Sequence, residues 1–235
     1  KVFTTLAFVS LNEKGERTFS FARKPGADTC LTKEEVNLEL IKECKIFHFG
    51  SLSLTDNPSK EALLYALEKA REMNKIISYD PNYRPLLWKN KDTAVKEMRA
   101  IIKYADIMKI SDEETELLTG YKEPEKAASK LIEHGISLVF VTLGSEGSFL
   151  KTKDFQITVK SKKCNVVDTT GAGDAFWGAI LYKLAERENS VFQISEKEGT
   201  EYLKFANTAA GICVEKRGAI PAMASLEELL MKINI

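Results

Sequence analysis

Val166-Val-Asp-Thr-Thr-Gly-Ala-Gly-Asp-Ala-Phe-Trp-Gly178 is the stretch from which the rest of the chain can be read. A β-branched run ends at Asp168. Two glycines flank Ala172, and a helical pattern follows with Phe176, Ile180 and Leu184 on one face. The pattern predicts a strand, a tight turn and a helix start. Gly171 and Gly173 permit close approach of a ligand to the backbone. The helix start presents unpaired N–H groups and the positive end of a helix dipole. Such a turn is an anion hole suited to charge developing on a transferred phosphoryl group. Asp174, in the first helical turn, is placed to take a proton from an attacking hydroxyl while the N–H groups hold the phosphate. A bare GxGD is more often a glycine turn before an ordinary helix. The longer strand–turn–helix context favours the chemical reading. Neither GxxxxGK[ST] nor GxGxxG occurs, so phosphate binding here follows neither the P-loop nor the dinucleotide pattern.

Upstream of this motif, helices alternate with short apolar strands. Helices are expected at 33–45, 58–73, 92–105 and 124–134. Strands are expected at Ile46–Phe49, Lys75–Tyr79, Ile107–Ile110 and Leu138–Leu143. Strands separated by helices of this length signal a parallel sheet with right-handed crossovers. The first 23 residues differ: Thr5–Leu11 and Arg17–Arg23 alternate about a turn at Asn12–Gly15, a β-hairpin with one wet face. Residues 147–160 read as two antiparallel strands, and 173–187, 197–215 and 225–233 as helices. Ligands of open α/β sheets bind beyond the carboxyl ends of the strands. The corresponding loops are Gly50–Ser53, Asp80–Arg84, Ser111–Glu114, Thr142–Gly147 and Asp168–Asp174, all rich in glycine, small polar or acidic residues.

Composition narrows the function. The 235 residues suffice for a sizeable core, and 34 basic residues balance 34 acidic ones. A chain with no excess positive charge and no basic aromatic stripe is a poor candidate for nucleic-acid binding. No apolar run approaches the roughly 20 residues of a membrane span. Cys30, Cys44, Cys164 and Cys213 lie far apart, and the two histidines are His48 and His134, so neither a zinc site nor a disulfide framework is expected. Four reduced thiols suit a cytoplasmic protein.

Asp168-Thr-Thr-Gly-Ala-Gly-Asp-Ala-Phe176 resembles the second signature of the ribokinase-like (PfkB) carbohydrate kinases, and the likeness runs over nearly the whole chain. Its supporting stretches are Thr4–Val9, Phe21–Asp28, Phe47–Leu54, Ser78–Trp88 and Lys216–Ala222, and they are most similar to the fructokinase branch. The resemblance implies a ribokinase-like α/β fold: a mostly parallel central sheet flanked by helices, with a small β lid. The lid corresponds to 1–25 and the nucleotide- and substrate-binding domain to 26–235. The early Asp and the Gly-Gly stretch with which the family begins are not found, so the N-terminal part of the fold is expected to be missing.

The resemblance also implies roles. Asp174 becomes the general base, and the backbone of Gly171, Ala172 and Gly173 the anion hole. Thr142-x-Gly144-x-x-Gly147 matches the nucleotide-binding TxGxxG; Asn207 and Gly218 belong to elements beside the nucleotide. Ser111-Asp-Glu-Glu114 stands where the family has NxxE, so Glu114 would help hold Mg²⁺ through water. A serine N-cap with acidic residues in the first helical turn explains the same letters. Asp168 and Thr170, with the loop from Gly218, correspond to a monovalent-cation site, pointing to K⁺. Arg23, Asp28, Asn82 and Arg84 are the sugar-side candidates. The implied reaction is transfer of the ATP γ-phosphoryl group to fructose O6, with 2-keto-3-deoxygluconate, ribose or a nucleoside as the alternative acceptor. A catalytically incomplete nucleotide-binding fragment is the remaining alternative. The lid implies a homodimer.

Overall fold

The structure, a computed structural model, describes residues 2–11, 17–23 and 26–233. The expected hairpin turn at Asn12–Gly15 lies outside them. The chain divides into two compact units, Lys1–Met108 and Lys109–Ile235, and the division falls within a strand.

In the first unit, β1 (Leu6–Leu11) and β2 (Arg17–Ala22) form an antiparallel two-stranded sheet of their own, in register from Leu6↔Ala22 to Leu11↔Arg17. The predicted helix over 33–45 is broken. A 3₁₀ turn at Lys33–Glu35 is followed by α1 (Leu38–Glu43). The cause is Asn37, whose side-chain oxygen accepts from the N–H groups of Glu39 and Leu40. A side chain that caps its own downstream turn competes with a continuous helix ladder. Ile41 is buried as expected from the apolar pattern, but Leu40 is 64% exposed.

β3 (Ile46–Gly50) leads to α2 (Ser59–Glu72), and then to β4 (Ile76–Asp80). In α2 the residues Ala62, Leu63, Ala66, Leu67 and Ala70 form the buried stripe that a 3.6-residue period requires. Full burial of a leucine such as Leu67 contributes about 2 kcal/mol. β3 and β4 pair in parallel, and Phe49 stacks on Tyr79 with ring centroids 4.5 Å apart. α3 (Lys91–Ala100) is shorter than predicted, and the chain continues as a 3₁₀ turn at Ile102–Tyr104. β5 (Ile107–Ser111) pairs in parallel with β4 through Ser78↔Ile107 and Tyr79↔Met108.

The second unit continues with α4 (Asp112–Thr119), α5 (Pro124–Glu133), β6 (Leu138–Thr142), β7 (Ser148–Lys151) and β8 (Gln156–Val159). β6, β7 and β8 pair antiparallel, as expected for 147–160, and the strand order is β3-β4-β5-β6-β7-β8. The chain ends with α6 (Ala172–Ala185), α7 (Glu196–Val214) and α8 (Leu226–Ile233). α6 packs Trp177 edge-on against Phe140 of β6, and Phe205, Ala209, Ile212 and Leu229 close a second apolar cluster between α7 and α8.

One expected strand is absent. Residues 161–168, which include the β-branched run at Val166, join no ladder. The N–H groups of Val167 and Asp168 instead bond to the carbonyl of Val214 at the end of α7, at 2.8 and 3.1 Å. Val166 and Val167 are exposed. β-branched residues favour strands when a pleated, half-buried surface is offered; here the backbone finds its partner at a helix end.

Candidate active site

In the second unit the site forms where Asp168 organises the turn before α6. One carboxylate oxygen of Asp168 accepts from the Thr170 N–H at 2.9 Å and the Thr170 hydroxyl at 2.6 Å. The other accepts from the Gly218 N–H at 2.9 Å, fastening the loop after α7 to the same point. Asp168 is buried, and a carboxylate accepting three short bonds makes a rigid Asx turn. Gly171 then takes φ +82° as the N-cap of α6. A Cβ at Gly171 would stand 2.9 Å from the Ala219 Cβ and 3.0 Å from its Cα, so the conformation and the Gly218 loop both require glycine.

At the start of α6 the Ala172 N–H bonds to the Thr169 carbonyl at 3.3 Å, and helix geometry leaves the next N–H groups of the first turn directed out of the helix start. Asp174 is exposed on that turn, whereas Ala175, Phe176 and Trp177 behind it are buried. An exposed carboxylate beside the donors of a helix start is an arrangement that a proton acceptor for an incoming hydroxyl can use. Cys213 is fully buried beneath the turn, its thiol reaching the Thr170 carbonyl at 3.6 Å. Burial, with the nearby charges of Asp174 and Asp168, pushes that thiol up in pKa and keeps it protonated.

The TxGxxG stretch forms the β6–β7 connection. Leu143 N–H bonds to the Gly147 carbonyl at 2.9 Å, and a 3₁₀ turn spans Gly144–Glu146. The Thr142 hydroxyl lies 3.5 Å from the Ile110 carbonyl. Asn207, midway along α7, donates to the Val159 carbonyl at 3.0 Å and so ties that helix to the end of β8. Glu114 makes a capping box with Ser111: its carboxylate accepts from the Ser111 N–H at 2.8 Å. The structural account of these letters is therefore realised. It also holds a buried carboxylate at the carboxyl end of β5.

In the first unit, Arg23 is buried and its guanidinium is committed. It bonds to Asp28 at 2.7 Å, to the Thr55 hydroxyl at 2.7 Å and to the Leu52 carbonyl at 3.0 Å. Burial alone would raise the pKa of Asp28, but hydrogen bonds from Thr5 and Arg23 outweigh it and hold the carboxyl below its usual range. Arg23 and Asp28 are thus brought together as a pair. Asn82 takes φ +46°, with its N–H on the Asp80 carboxylate at 3.1 Å, and Arg84 Nη1 donates to the Tyr83 carbonyl at 3.1 Å. A pocket of about 350 Å³ is lined by Phe21, Ala22, Arg23, Asp56, Leu86 and Leu87. Of the four sugar-side candidates only Arg23 lines it; Phe21, Asp56, Leu86 and Leu87 were not singled out in the sequence.

Sequence reasoning also missed Lys109. It sits in the apolar strand β5 and is only 5% exposed. The available signal was a lysine inside a four-residue run otherwise made of Ile and Met. Among the described residues no three or more His, Cys, Asp or Glu side chains gather as a metal site, and no helix is long and apolar enough to cross a membrane.

An α/β sheet with a glycine turn and an exposed aspartate at a helix start is an arrangement suited to phosphoryl transfer without a P-loop. Residues 3–226 match the model of the pfkB family carbohydrate kinases, and the chain belongs to that family. It is 44% identical over 233 residues to Fructokinase-2 of Oryza sativa subsp. japonica, covering 97% of this chain and 69% of that protein. Two of the similar solved structures are fructokinases. The fructokinase of Xylella fastidiosa with bound ATP has a TM-score of 0.86 at 30% identity, over 98% of this chain and 73% of that one. The fructokinase of Vibrio cholerae O395, with fructose, ADP and a calcium ion bound, has 0.84 at 28%, over 96% and 72%.

Proposed function

We propose that this chain acts as an ATP-dependent fructokinase, transferring the γ-phosphoryl group of ATP to O6 of fructose. The observation that carries the reading is the Gly171–Asp174 turn, pinned by Asp168, in a chain 44% identical to a curated fructokinase. The sugar hydroxyl attacks phosphorus in line. Asp174 takes its proton, ADP leaves, and the N–H groups of the Gly171–Ala172–Gly173 turn stabilise the charge on the transferring group. Holding the two reactants in one orientation supplies much of the rate, because phosphoryl transfer asks little covalent chemistry of the protein.

The nucleotide is assigned to Thr142, Gly144, Gly147, Asn207 and Gly218, and the sugar to Arg23, Asp28, Asn82 and Arg84. The commitment of Arg23 to Asp28, Thr55 and Leu52 supports a role in shaping the sugar side more than in clamping it. Glu114 offers a hard oxygen donor at the head of α4, which fits Mg²⁺ held mainly by phosphate and water. That ion, when bound, neutralises charge on the phosphates. Asp168 and Thr170 are assigned to K⁺. The hairpin 1–25 is the lid over the domain 26–235, and exposed Leu6, Phe8 and Val9 on β1 support its pairing two copies as a homodimer. Sedimentation of the full-length protein at micromolar concentration tests this, with a monomer counting against it. The unpaired cysteines support a cytoplasmic location.

A side-by-side panel of acceptors tests the sugar. With ATP and Mg²⁺, fructose is expected to give the highest kcat/KM among fructose, 2-keto-3-deoxygluconate, ribose and a purine nucleoside. A higher value for any of the others overturns the assignment to fructose.

A further inference from the structure

We propose that Ser148 is a positioning residue of the nucleotide site, whose hydroxyl holds the Thr142 side chain in place when ATP is bound. The inference rests on the kinase reading above and deepens it at a residue just outside the TxGxxG stretch. Ser148 opens β7 and is 0% exposed, and its hydroxyl has no hydrogen-bond partner among the described residues. A buried hydroxyl without a partner forfeits the bonds to water that it makes in the unfolded chain, so such groups are rare and call for a reason.

The surroundings of Ser148 supply one. Thr142, Ser148 and Val159 stand in register across β6, β7 and β8. Side chains alternate faces along a strand, so this row shares the face of Phe140, Leu150 and Ile157. That face lies against α6 and α7: Phe140 meets Trp177, and a Cβ on Gly199 would meet Leu150 and Ile157. Asn207 of α7 closes the row at the Val159 carbonyl. The Leu143 N–H bonds to the Gly147 carbonyl, which makes Thr142 and Ser148 the next, non-hydrogen-bonded pair, the kind whose side chains lie closest. Opposed Thr and Ser hydroxyls readily bond to each other across such a pair. Here that bond is not made. The Thr142 hydroxyl donates instead to the Ile110 carbonyl at 3.5 Å, longer than an ordinary O–H···O bond. One weakly held hydroxyl therefore faces one that is not held at all. A hydroxyl donates once and still accepts. When the Thr142 O–H turns to an oxygen of the nucleotide, its own oxygen is free to accept from Ser148. The two bonds then run in series and polarise each other. The bond that Ser148 lacks without nucleotide is recovered with it, so binding draws on a difference between the two states.

The test uses the full-length protein and calorimetric titration with ATP and Mg²⁺ in the absence of sugar. Ser148→Ala is expected to weaken ATP binding about three- to tenfold, the scale of one net hydrogen bond. In turnover the loss is expected in KM for ATP and not in KM for fructose. Without nucleotide, the urea midpoint of this variant is expected at or above that of wild type, because the hydroxyl removed was unpaired. Ser148→Cys nearly keeps the volume and leaves only a weak donor. It is expected to bind ATP as poorly as the Ala variant, and it carries the test if that variant does not fold. In a Thr142→Val background, Ser148→Ala is expected to change ATP affinity by less than about twofold, since no hydroxyl remains there to hold. Wild-type ATP affinity in folded Ser148→Ala or Ser148→Cys overturns the proposal. So does a full three- to tenfold loss on top of Thr142→Val. If wild type binds ATP but phosphorylates no fructose, the functional reading falls, while the ATP titrations still decide Ser148.

Discussion

Asp174→Asn should cut fructose phosphorylation by about 10²–10⁴-fold while leaving ATP affinity nearly unchanged. The substitution keeps the size and polarity of the side chain and removes its capacity to take a proton. The cradle survives, because Gly171, the Asp168 bonds to Thr170 and Gly218, and the N–H groups of the α6 start do not involve the Asp174 side chain. Asp174 is exposed, so its loss opens no cavity. An acidic residue in a first helical turn contributes about 0.3–1 kcal/mol through the dipole, which bounds the stability loss. Kinetics, calorimetry and a melting curve on the same preparation separate these effects. Turnover near that of wild type would remove Asp174 from the role of base.

Gly147→Ala is expected to have the largest effect on stability, about 3–5 kcal/mol, lowering the urea midpoint and raising KM for ATP. Gly147 has φ +109° and ψ −132°, a region that side-chain-bearing residues scarcely enter. A Cβ there would stand 2.7 Å from the Ser161 N and 2.8 Å from the Lys160 Cα, and closer still to the Val159 carbonyl oxygen. These are backbone atoms, and no rotamer change moves them away. The displaced segment is the end of β8, which also receives the Asn207 bond, so damage would spread through the nucleotide side of the second unit. A midpoint equal to that of wild type would show that the turn relaxes without cost.

Much of this site was legible before the fold was known. Asp168, Gly171 and Asp174 lie within seven residues, and a turn whose donors and carboxylate are local in sequence can be read locally. The same holds for Glu114, whose capping box with Ser111 is a three-residue relation. Readings failed where a side chain or a distant backbone group intervened. Asn37 turned an apolar helical pattern into a 3₁₀ turn and a short helix by capping from within. The Val166 run has strand propensity, yet its N–H groups meet the Val214 carbonyl, nearly fifty residues away. In the sequence Arg23 and Asp28 read as two separate sugar-side candidates; their pairing, and the bonds of Arg23 to Thr55 and Leu52 in another loop, appear only in the fold.

The sequence by itself determined the order of strands and helices, the glycine turn and the aspartate on it, because periodicity and turn chemistry act over a few residues. Only the tertiary structure decided that Lys109 is buried against Gly173, that Gly218 is fastened to Asp168 and that Gly147 has no room for a methyl group. Each depends on atoms far apart in the chain, brought within a few ångströms when the sheet and helices pack, and no local pattern encodes that approach.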